Sequence, residues 1–469
     1  MLAILLTGAL VVASAGAAGA CRKGWLDRQS LVILATMLVP CVLLARYDID
    51  YATWIADRPY WLILHLQALV IVASGAVLLS RRIAVGAPAL PVLKWAMVLA
   101  AILLATPAGK YLLWPSAGLE SFDVGALAQS MALFLLPLLA GLLLTLNVKA
   151  DDEAMERLLR VVAVLTCLVG LANIASGLFR PLFEAMAETT KAQQAGRSFT
   201  PLGDAIPNSL VLYAGYVLCL SRALARRQQR WLYLAACALA AIGIVFTLTR
   251  TTLAVLVVTS LWQVARSRHR AIAIASILVS LAVAGVVLRY SPPSFELSRL
   301  TVASDGSTDM RQQTLEASFE LALRSPIFGQ GFGQVYDQFF YRCGRWTPEM
   351  QNIQGVWSAR EPHSAYMLLW VEGGVMAVAG FGALLWAVLR GLRPPAGAEP
   401  LQRELLTGFR GMVAGIAVLA VVGSHLLINY RVAWVCWTLI GIGLAYRRHV
   451  DRSSAQAAPI APPANPGPL

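Results

Sequence analysis

The chain has 469 residues, of which 58% are hydrophobic and only 13% charged, and this balance excludes a soluble globular protein with a polar surface. Its net charge of +13 is spread over many short connections between apolar stretches. That distribution argues against nucleic-acid binding and is typical of the excess of Lys and Arg in cytoplasmic loops.

Apolar stretches of membrane length recur from the first residues to about residue 446. A helix needs about 20 apolar residues to cross the hydrocarbon, so the pattern predicts an all-α integral membrane protein with about 12 to 14 transmembrane helices. In two regions, 231–265 and 411–446, the stretches are so close that each region could hold one span or two. We interpret the first stretch, roughly 2 to 20, as an uncleaved helix with its N-terminus outside, because basic residues follow it and none precedes it.

The basic connections predict the topology. Placing them in the cytoplasm makes every other connection external, without conflict along the chain. These connections are RKGWLDR, RRIAVGAPALPVLK, KADDEAMERLLR, RALARRQQR, RSRHR and RGLRPP. The resulting division is a transmembrane region over 1–288, a large, partly helical periplasmic loop over 289–363, C-terminal transmembrane helices over 364–450 and a disordered cytoplasmic tail over 451–469.

The periplasmic loop contains one amphipathic pattern. Met310, Leu315, Phe319 and Leu323 recur at helical spacing after Asp309, which we expect to cap the helix. The apolar stripe indicates a helix packed on the outer surface of the protein itself, with an independent lipid-binding helix as the alternative. The glycines of the following PIFGQGFG segment predict a tight turn, and they lack the spacing of a dinucleotide site.

His363 stands between the polar loop and a membrane-length apolar stretch, roughly 364 to 389. An ionisable side chain at a membrane boundary is costly unless it is used or paired. Because Pro362 is suited to the first turn of a helix, we expect His363 in that turn, beside free backbone N–H groups that attract phosphate. A neutral imidazole held there can accept a proton.

Four arginines on the predicted outer side are candidates for binding an anion: Arg197, Arg250, Arg311 and Arg360. Arg250 is the most unusual because apolar sequence lies on both sides of it. Guanidinium groups suit phosphate oxygens, so several of them near His363 suggest a clamp for a diphosphate. For any one of them, an ion pair with an acid such as Asp204 or Glu361 is the alternative.

No cofactor or metal is expected from the sequence. The one DxD pair, Asp48 and Asp50, supplies two carboxylates, which make a weak magnesium or manganese site, and solvated loop acids are commoner. The cysteines have neither zinc spacing nor the pattern of a disulfide framework.

Three segments together resemble the bacterial O-antigen ligase and polymerase superfamily. HSAYMLLWVEGG resembles its His-x-x-x-Leu-x-x-x-x-Glu-x-Gly stretch, although Leu368 falls one place later and Gly373 adds a glycine before Gly374. TLTRTTLAV resembles its Ser-x-Ser-Arg segment, with threonines at both hydroxyl positions. Arg311 followed by SPIFGQGFG resembles the region that leads to its histidine.

The resemblance implies a glycosyltransferase of the GT-C type that acts without metal and with inversion. It would move O-antigen glycan from undecaprenyl diphosphate to a sugar hydroxyl of the lipid A core, at the periplasmic face of the bacterial inner membrane. By the same resemblance, Arg197 and Arg250 would hold the diphosphate, Arg311 and Arg360 would support them, and His363 would activate or position the acceptor hydroxyl.

Three alternatives stay open. An O-antigen polymerase would join the same donor to another lipid-linked glycan, and a protein O-oligosaccharyltransferase would use Ser or Thr as the acceptor. A lipid or solute transporter is the non-enzyme alternative, but it would more often place ionisable groups near the bilayer midplane.

Overall fold

A computed structural model describes residues 88–113, 127, 130–146, 148, 150–178, 205–225, 228–267, 271, 274, 278, 285, 306–334 and 362–456. In this part of the chain all regular elements are helices. Four helical stretches are long and apolar enough to cross a membrane: Ala89–Pro107, Asp152–Gly177, Ile206–Ala225 and Ala365–Gly391. The predicted all-α membrane fold is therefore confirmed. Many of the predicted 12 to 14 spans lie outside the described residues.

The described helices are numbered in chain order. They are α1 (Ala89–Leu113), α2 (Leu136–Leu146, entered through a π-helical turn over Met131–Leu135), α3 (Asp152–Leu178), α4 (Ala205–Ala225), α5 (Arg230–Phe246), α6 (Arg250–Arg266), α7 (Gly306–Arg324), α8 (Ala365–Gly391), α9 (Pro400–Leu419), α10 (His425–Ile428) and α11 (Tyr430–Gln456). Both closely spaced regions hold separate helices, and α11 continues past residue 451 to Gln456, into the segment predicted as tail.

Hydrogen bonds between buried side chains fix the directions of α4 and α6. Ser209 Oγ lies 2.9 Å from Thr252 Oγ1, and further along both helices Tyr213 OH lies 2.9 Å from Thr259 Oγ1. Residue numbers rise together in the two helices, so α4 and α6 are parallel and begin at the same end of the bundle. Side-chain hydrogen bonds of this kind join helices where lipid provides no hydrophobic drive between them.

Helix α9 runs antiparallel to α4 and packs against it through a face of small residues. A Cβ on Gly408 would meet Ser221, whereas a Cβ on Gly415 would meet the Tyr213 hydroxyl. Numbers rise in one helix as they fall in the other, so α9 ends where α4 and α6 begin. Glycines permit this close approach of two membrane helices.

Helix α8 begins beside the end of α9. Ala365 N donates to Ala420 O at 2.8 Å, and Tyr366 OH donates to Ala417 O at 3.1 Å. The starts of α4, α6 and α8 and the end of α9 therefore lie together. We call this the histidine end of the bundle, because His363 immediately precedes α8 in the chain.

The opposite end carries a buried ion pair. Arg222 Nε donates to Glu156 Oε2 at 2.5 Å and Arg222 Nη2 donates to Glu156 Oε1 at 2.9 Å, while Tyr233 OH donates to the same Oε1 at 3.0 Å. The Arg222 side chain is only 1% exposed. These contacts place the start of α3, the end of α4 and the start of α5 together, so two of the connections predicted as cytoplasmic, KADDEAMERLLR and RALARRQQR, lie at one end.

We expect Glu156→Gln to lower the free energy of unfolding by about 1.5 to 3 kcal/mol, because the buried guanidinium would lose its charged acceptor. Unfolding by SDS in mixed micelles measures this change. Glu153→Gln is the matched control, since Glu153 pairs with Arg157 on the same helix through a side chain that is 80% exposed. We expect less than about 1 kcal/mol there, and equal effects in the two variants would contradict the buried pair.

Candidate functional site

His363 lies before α8 rather than in its first turn, so the predicted position within the helix is wrong. The helix begins at Ala365, and Ser364 is its N-cap, with the side-chain oxygen accepting a hydrogen bond from Met367 N at 3.4 Å. Serine is preferred at this position because its hydroxyl satisfies a backbone N–H that lacks an intrahelical partner. Pro362 and His363 therefore lie outside the helix.

The backbone of His363 has a left-handed conformation, with φ of 47°. This region is uncommon for residues other than glycine, and backbone conformations of this kind cluster at functional sites. The side chain is partly exposed, whereas Pro362 and Ser364 on either side are buried. The contacts of Ala365 and Tyr366 with α9 hold the backbone that follows His363 at the histidine end.

Helix α8 is broken at its tenth residue, Gly374, where φ is 69° and ψ is −174°. The segment SPIFGQGFGQ, residues 325–334, packs into this break, and we call it the docking loop. It hydrogen-bonds the broken helix at three places: Gln330 N to Val371 O at 2.6 Å, Gly331 N to Glu372 O at 2.9 Å, and Val375 N to Pro326 O at 2.8 Å. Backbone groups freed inside a membrane need such partners, because lipid supplies none.

Glu372 is buried at the break, and its carboxylate accepts a hydrogen bond from the backbone N–H of Gly333. Glu372 is not among the site residues predicted from the sequence. The neighbouring glycine pair Gly373-Gly374 was the available signal, since glycines permit both the break and the close approach of another segment. A carboxylate in a membrane helix is expensive unless it is bonded within the protein.

Three glycines of the docking loop, Gly329, Gly331 and Gly333, have positive φ angles, as expected of a tight turn. Gly329 also has no room for a side chain, because a Cβ there would run into the backbone of Glu372 and Gly373. The two glycine-rich segments, one in the loop and one in α8, therefore pack with their backbones in direct contact.

Helix α7 leads into the docking loop and packs against α8. Phe319 and Trp370 meet edge to face with ring centroids 5.6 Å apart, and Trp370 Nε1 donates to Pro326 O at 3.3 Å. Gln330 Nε2 donates back to Leu321 O at 3.0 Å, which ties the loop to the helix. Since α8 starts at the histidine end and these contacts fall in its first half, α7 lies at the same end.

The predicted packing face of α7 is wrong in part. The helix begins at Gly306, so Asp309 lies within it and is not its cap. Its buried face consists of small residues and one leucine: Thr314, Ala317, Ser318, Leu321 and Ala322. The predicted stripe members Leu315, Phe319 and Leu323 are instead substantially exposed.

Arg250 is the first residue of α6 and is exposed at the histidine end. The turn before it is tight: Leu248 has φ of 52°, and the hydroxyls of Thr247 and Thr249 are hydrogen-bonded to each other. The threonines of TLTRTT thus build the turn that ends α5 and starts α6. A guanidinium beside the free N–H groups of a helix start gives a place suited to an anion.

The structure brings two of the five candidates, His363 and Arg250, to the histidine end. The backbone of Arg311 lies in α7 at that end, but its side chain is outside the described part, as are Arg197 and Arg360 altogether. Asp48 and Asp50 are also outside it. Among the described residues, no group of three or more His, Cys, Asp or Glu side chains is placed to hold a metal ion.

Residues 235–382 match the family model described as O-antigen ligase (Wzy_C). The matched segment runs from within α5 to within α8, and it includes Arg250, α7, the docking loop and His363. The match confirms the resemblance to the O-antigen ligase superfamily. No curated protein gives a significant match to the chain.

Proposed function

We propose that this chain, whose residues 235–382 carry the O-antigen ligase domain, transfers O-antigen glycan from undecaprenyl diphosphate to a lipid A-core sugar hydroxyl. The family supports ligase or polymerase activity and a glycosyltransferase-like enzyme. The observation that carries the finer proposal is that two helices begin at the same end of the bundle: α6, whose first residue is Arg250, and α8, which His363 shortly precedes. We propose that this end faces the periplasm across the bacterial inner membrane.

The first contribution of the protein is to bring two large lipids together. Donor and acceptor are both anchored in one leaflet, and binding them in one cavity replaces their lateral search within that leaflet with a fixed encounter. Well-oriented reactants in such an arrangement gain up to about 7 to 11 kcal/mol relative to free collision. A membrane bundle whose helices start at a common end is suited to this purpose.

The reaction then needs one proton acceptor and a stabilised leaving group. The acceptor hydroxyl oxygen attacks the anomeric carbon as its proton passes to a ring nitrogen of His363. The bond between the anomeric carbon and the phosphate oxygen breaks, and undecaprenyl diphosphate departs with the electron pair. Attack opposite the leaving group inverts the anomeric centre, and neither a metal nor a nucleotide cofactor takes part in this scheme.

Arginine side chains stabilise the charge that grows on the diphosphate as that bond opens. Arg250 is exposed at the start of α6 and is the best placed of the described candidates. We assign Arg197 a similar role and treat Arg311 and Arg360 as supporting contacts. Each of these roles needs the planar set of N–H donors with which a guanidinium binds phosphate oxygens, and lysine lacks this set.

A transporter for lipids or solutes is the second candidate, because α8 is broken and carries Glu372 at the break. Broken helices with ionisable groups at depth are typical of transporters. In this chain, however, the backbone groups at the break bind the docking loop, and Glu372 accepts a hydrogen bond from Gly333. Both features stabilise the contact between the docking loop and α8, and this structural role accounts for the break without a transported substrate.

The acceptor is tested by incubating the purified protein with undecaprenyl-diphosphate glycan and, in separate reactions, lipid A core, a second lipid-linked glycan or a Ser/Thr-containing peptide. We expect mass spectrometry to find glycan attached to lipid A core. Product on the second glycan would identify a polymerase, and product on the peptide a protein O-oligosaccharyltransferase. Movement of unaltered glycolipid across vesicles without any product would overturn the enzyme proposal in favour of transport.

We expect Arg250→Lys to reduce transfer strongly, by about tenfold to a thousandfold, because removing one preorganised donor to a developing anion has effects of that size. Initial rates with saturating acceptor measure the loss. Arg266→Lys is the matched control at the other end of α6, where the guanidinium lies 4.7 Å from the centroid of the Trp262 ring. Equal rates for Arg250→Lys and the wild type would remove Arg250 from the diphosphate site.

A further inference from the structure

An apolar surface remains exposed on α7 and the docking loop. It consists of Leu315, Phe319, Leu323, Ile327 and Phe328, whose side chains are between 40% and 54% exposed. We call these five residues the apolar ridge. Large exposed apolar patches on folded proteins mark binding surfaces for proteins, ligands or membranes.

Within the described part of the chain, the ridge is not part of the buried core, although Phe319 touches Trp370 of α8 at its edge. The opposite face of α7, which includes Ala317 and Leu321, is buried, and Gln330 Nε2 donates to Leu321 O at 3.0 Å. These contacts fix the rotation of the helix about its axis. The exposure of the ridge is therefore a consequence of packing, and not of a loosely held helix.

The docking loop reaches to membrane depth along α8. Its hydrogen bonds fall on Val371, Glu372 and Val375, six to ten residues beyond Ala365. At 1.5 Å per residue this is about 9 to 15 Å below the start of the helix. Helix α8 has 27 residues, or about 40 Å, whereas the hydrocarbon is about 30 Å thick. The backbone of Ile327 and Phe328 lies against Gly374, at about 13 Å along the helix, which is the level of the hydrocarbon in a bilayer centred on α8.

The ridge also continues a surface of α8 that faces outward. Val375 and Met376, beside the docking loop, are half exposed on a helix of membrane length, as expected of side chains in contact with lipid. Val375 N bonds to Pro326 O, next to Ile327. Phe319 meets Trp370 of α8 at the other side of the ridge. Polar side chains of α7, including Glu320 and Arg324, are exposed beside the ridge and supply the water-facing side of an interfacial helix.

We propose that the apolar ridge is embedded in the phospholipid acyl chains of the leaflet at the histidine end. Helix α7 and the docking loop are then a wedge in that leaflet, fixed to the break in α8. The depth of the loop and the continuity with the exposed face of α8 favour acyl chains over a second protein. The proposal needs no glycan substrate and so does not depend on the transfer reaction.

Photocrosslinking in a membrane tests this. The photoreactive residue p-benzoylphenylalanine replaces Phe319 or Phe328, one at a time, which keeps an aromatic ring at each place. The full-length protein is reconstituted into vesicles of phosphatidylethanolamine and phosphatidylglycerol that carry an alkyne on the acyl chain, and then illuminated. Matched variants carry the same residue at Glu320 or Arg324, which are exposed on α7 to one side of the ridge.

We expect acyl-chain adducts as the main product at positions 319 and 328 and loss of that adduct at 320 and 324. Folding of each variant is checked by size-exclusion chromatography, so a misfolded variant is recognised. Crosslinks from 319 and 328 to a second copy of the chain would overturn the proposal and identify the ridge as a dimer contact. Equal lipid adducts at all four positions, or none at any, would overturn it as well.

Discussion

Replacing His363 with alanine will abolish glycan transfer and leave the protein inserted and folded. A positioned proton acceptor contributes about 10² to 10⁴ in rate, so the rate of transfer should fall by that factor. Folding is expected to survive because His363 lies outside α8, before the Ser364 cap, and is partly exposed. Initial rates with purified protein, together with the elution volume in detergent, measure both properties.

Two variants separate chemistry from backbone conformation at this position. Asparagine adopts the left-handed conformation more readily than alanine, so His363→Asn keeps the backbone at φ of 47° and removes the base. We expect it to be as inactive as His363→Ala. His449→Ala, near the end of α11, is the control histidine and should transfer normally, since His449 stacks on Tyr446 far along that helix. Wild-type rates in either His363 variant would end the assignment of a base.

Gly374→Ala will release the docking loop and reduce both stability and transfer. The φ of 69° and ψ of −174° at Gly374 lie in a region that essentially only glycine adopts. A Cβ would also collide with the backbone of Ile327 and Phe328. Backbone strain costs about 1 to 3 kcal/mol and overpacking about as much again, so we expect a loss of about 2 to 6 kcal/mol in unfolding free energy. SDS unfolding and transfer rates measure the two effects.

Gly382→Ala provides the comparison within the same helix. A Cβ at Gly382 meets nothing within 4 Å, and alanine in a helix is more favourable than glycine by about 0.5 to 1 kcal/mol. This variant should be as stable as the wild type or slightly more so. A Gly374→Ala protein that matches Gly382→Ala in stability would show that the break and the docking loop do not support each other.

Apolar length and glycine signals predicted the helices well. The stretch expected over roughly 364 to 389 corresponds to α8, and the two ambiguous regions resolved into separate helices at the turns around Leu248 and between α9 and α11. Lipid imposes this regularity, because a spanning segment must satisfy its own backbone and present apolar side chains. Length and hydropathy can therefore be read from the chain without knowledge of its packing.

The break in α8 could not be predicted in the same way. Residues 364 to 389 are apolar almost throughout, and the partners of the freed backbone groups lie some forty residues earlier in the chain, in the docking loop. The choice of face on α7 failed for a related reason. Bulky apolar residues indicated the packed side, but the buried side of the helix holds the small residues Ala317, Ser318 and Ala322 instead.

The candidate site came from charge placement and resemblance. Assigning basic connections to one side of the membrane predicted that Arg250 and His363 share the other side, and the directions of α4, α6, α8 and α9 agree with this. The N-cap was missed because Pro362 was given more weight than Ser364, whose hydroxyl satisfies a helix N–H. The roles of Arg197, Arg311 and Arg360 stay predictions.

The most direct test of the account is a cryo-electron-microscopy structure of the full chain in a nanodisc with undecaprenyl diphosphate bound. We predict density for the diphosphate at the histidine end, in contact with the guanidinium of Arg250, with the imidazole of His363 facing the same cavity. A diphosphate bound elsewhere, or a His363 ring turned toward lipid and away from every bound phosphate, would contradict the proposed reaction centre.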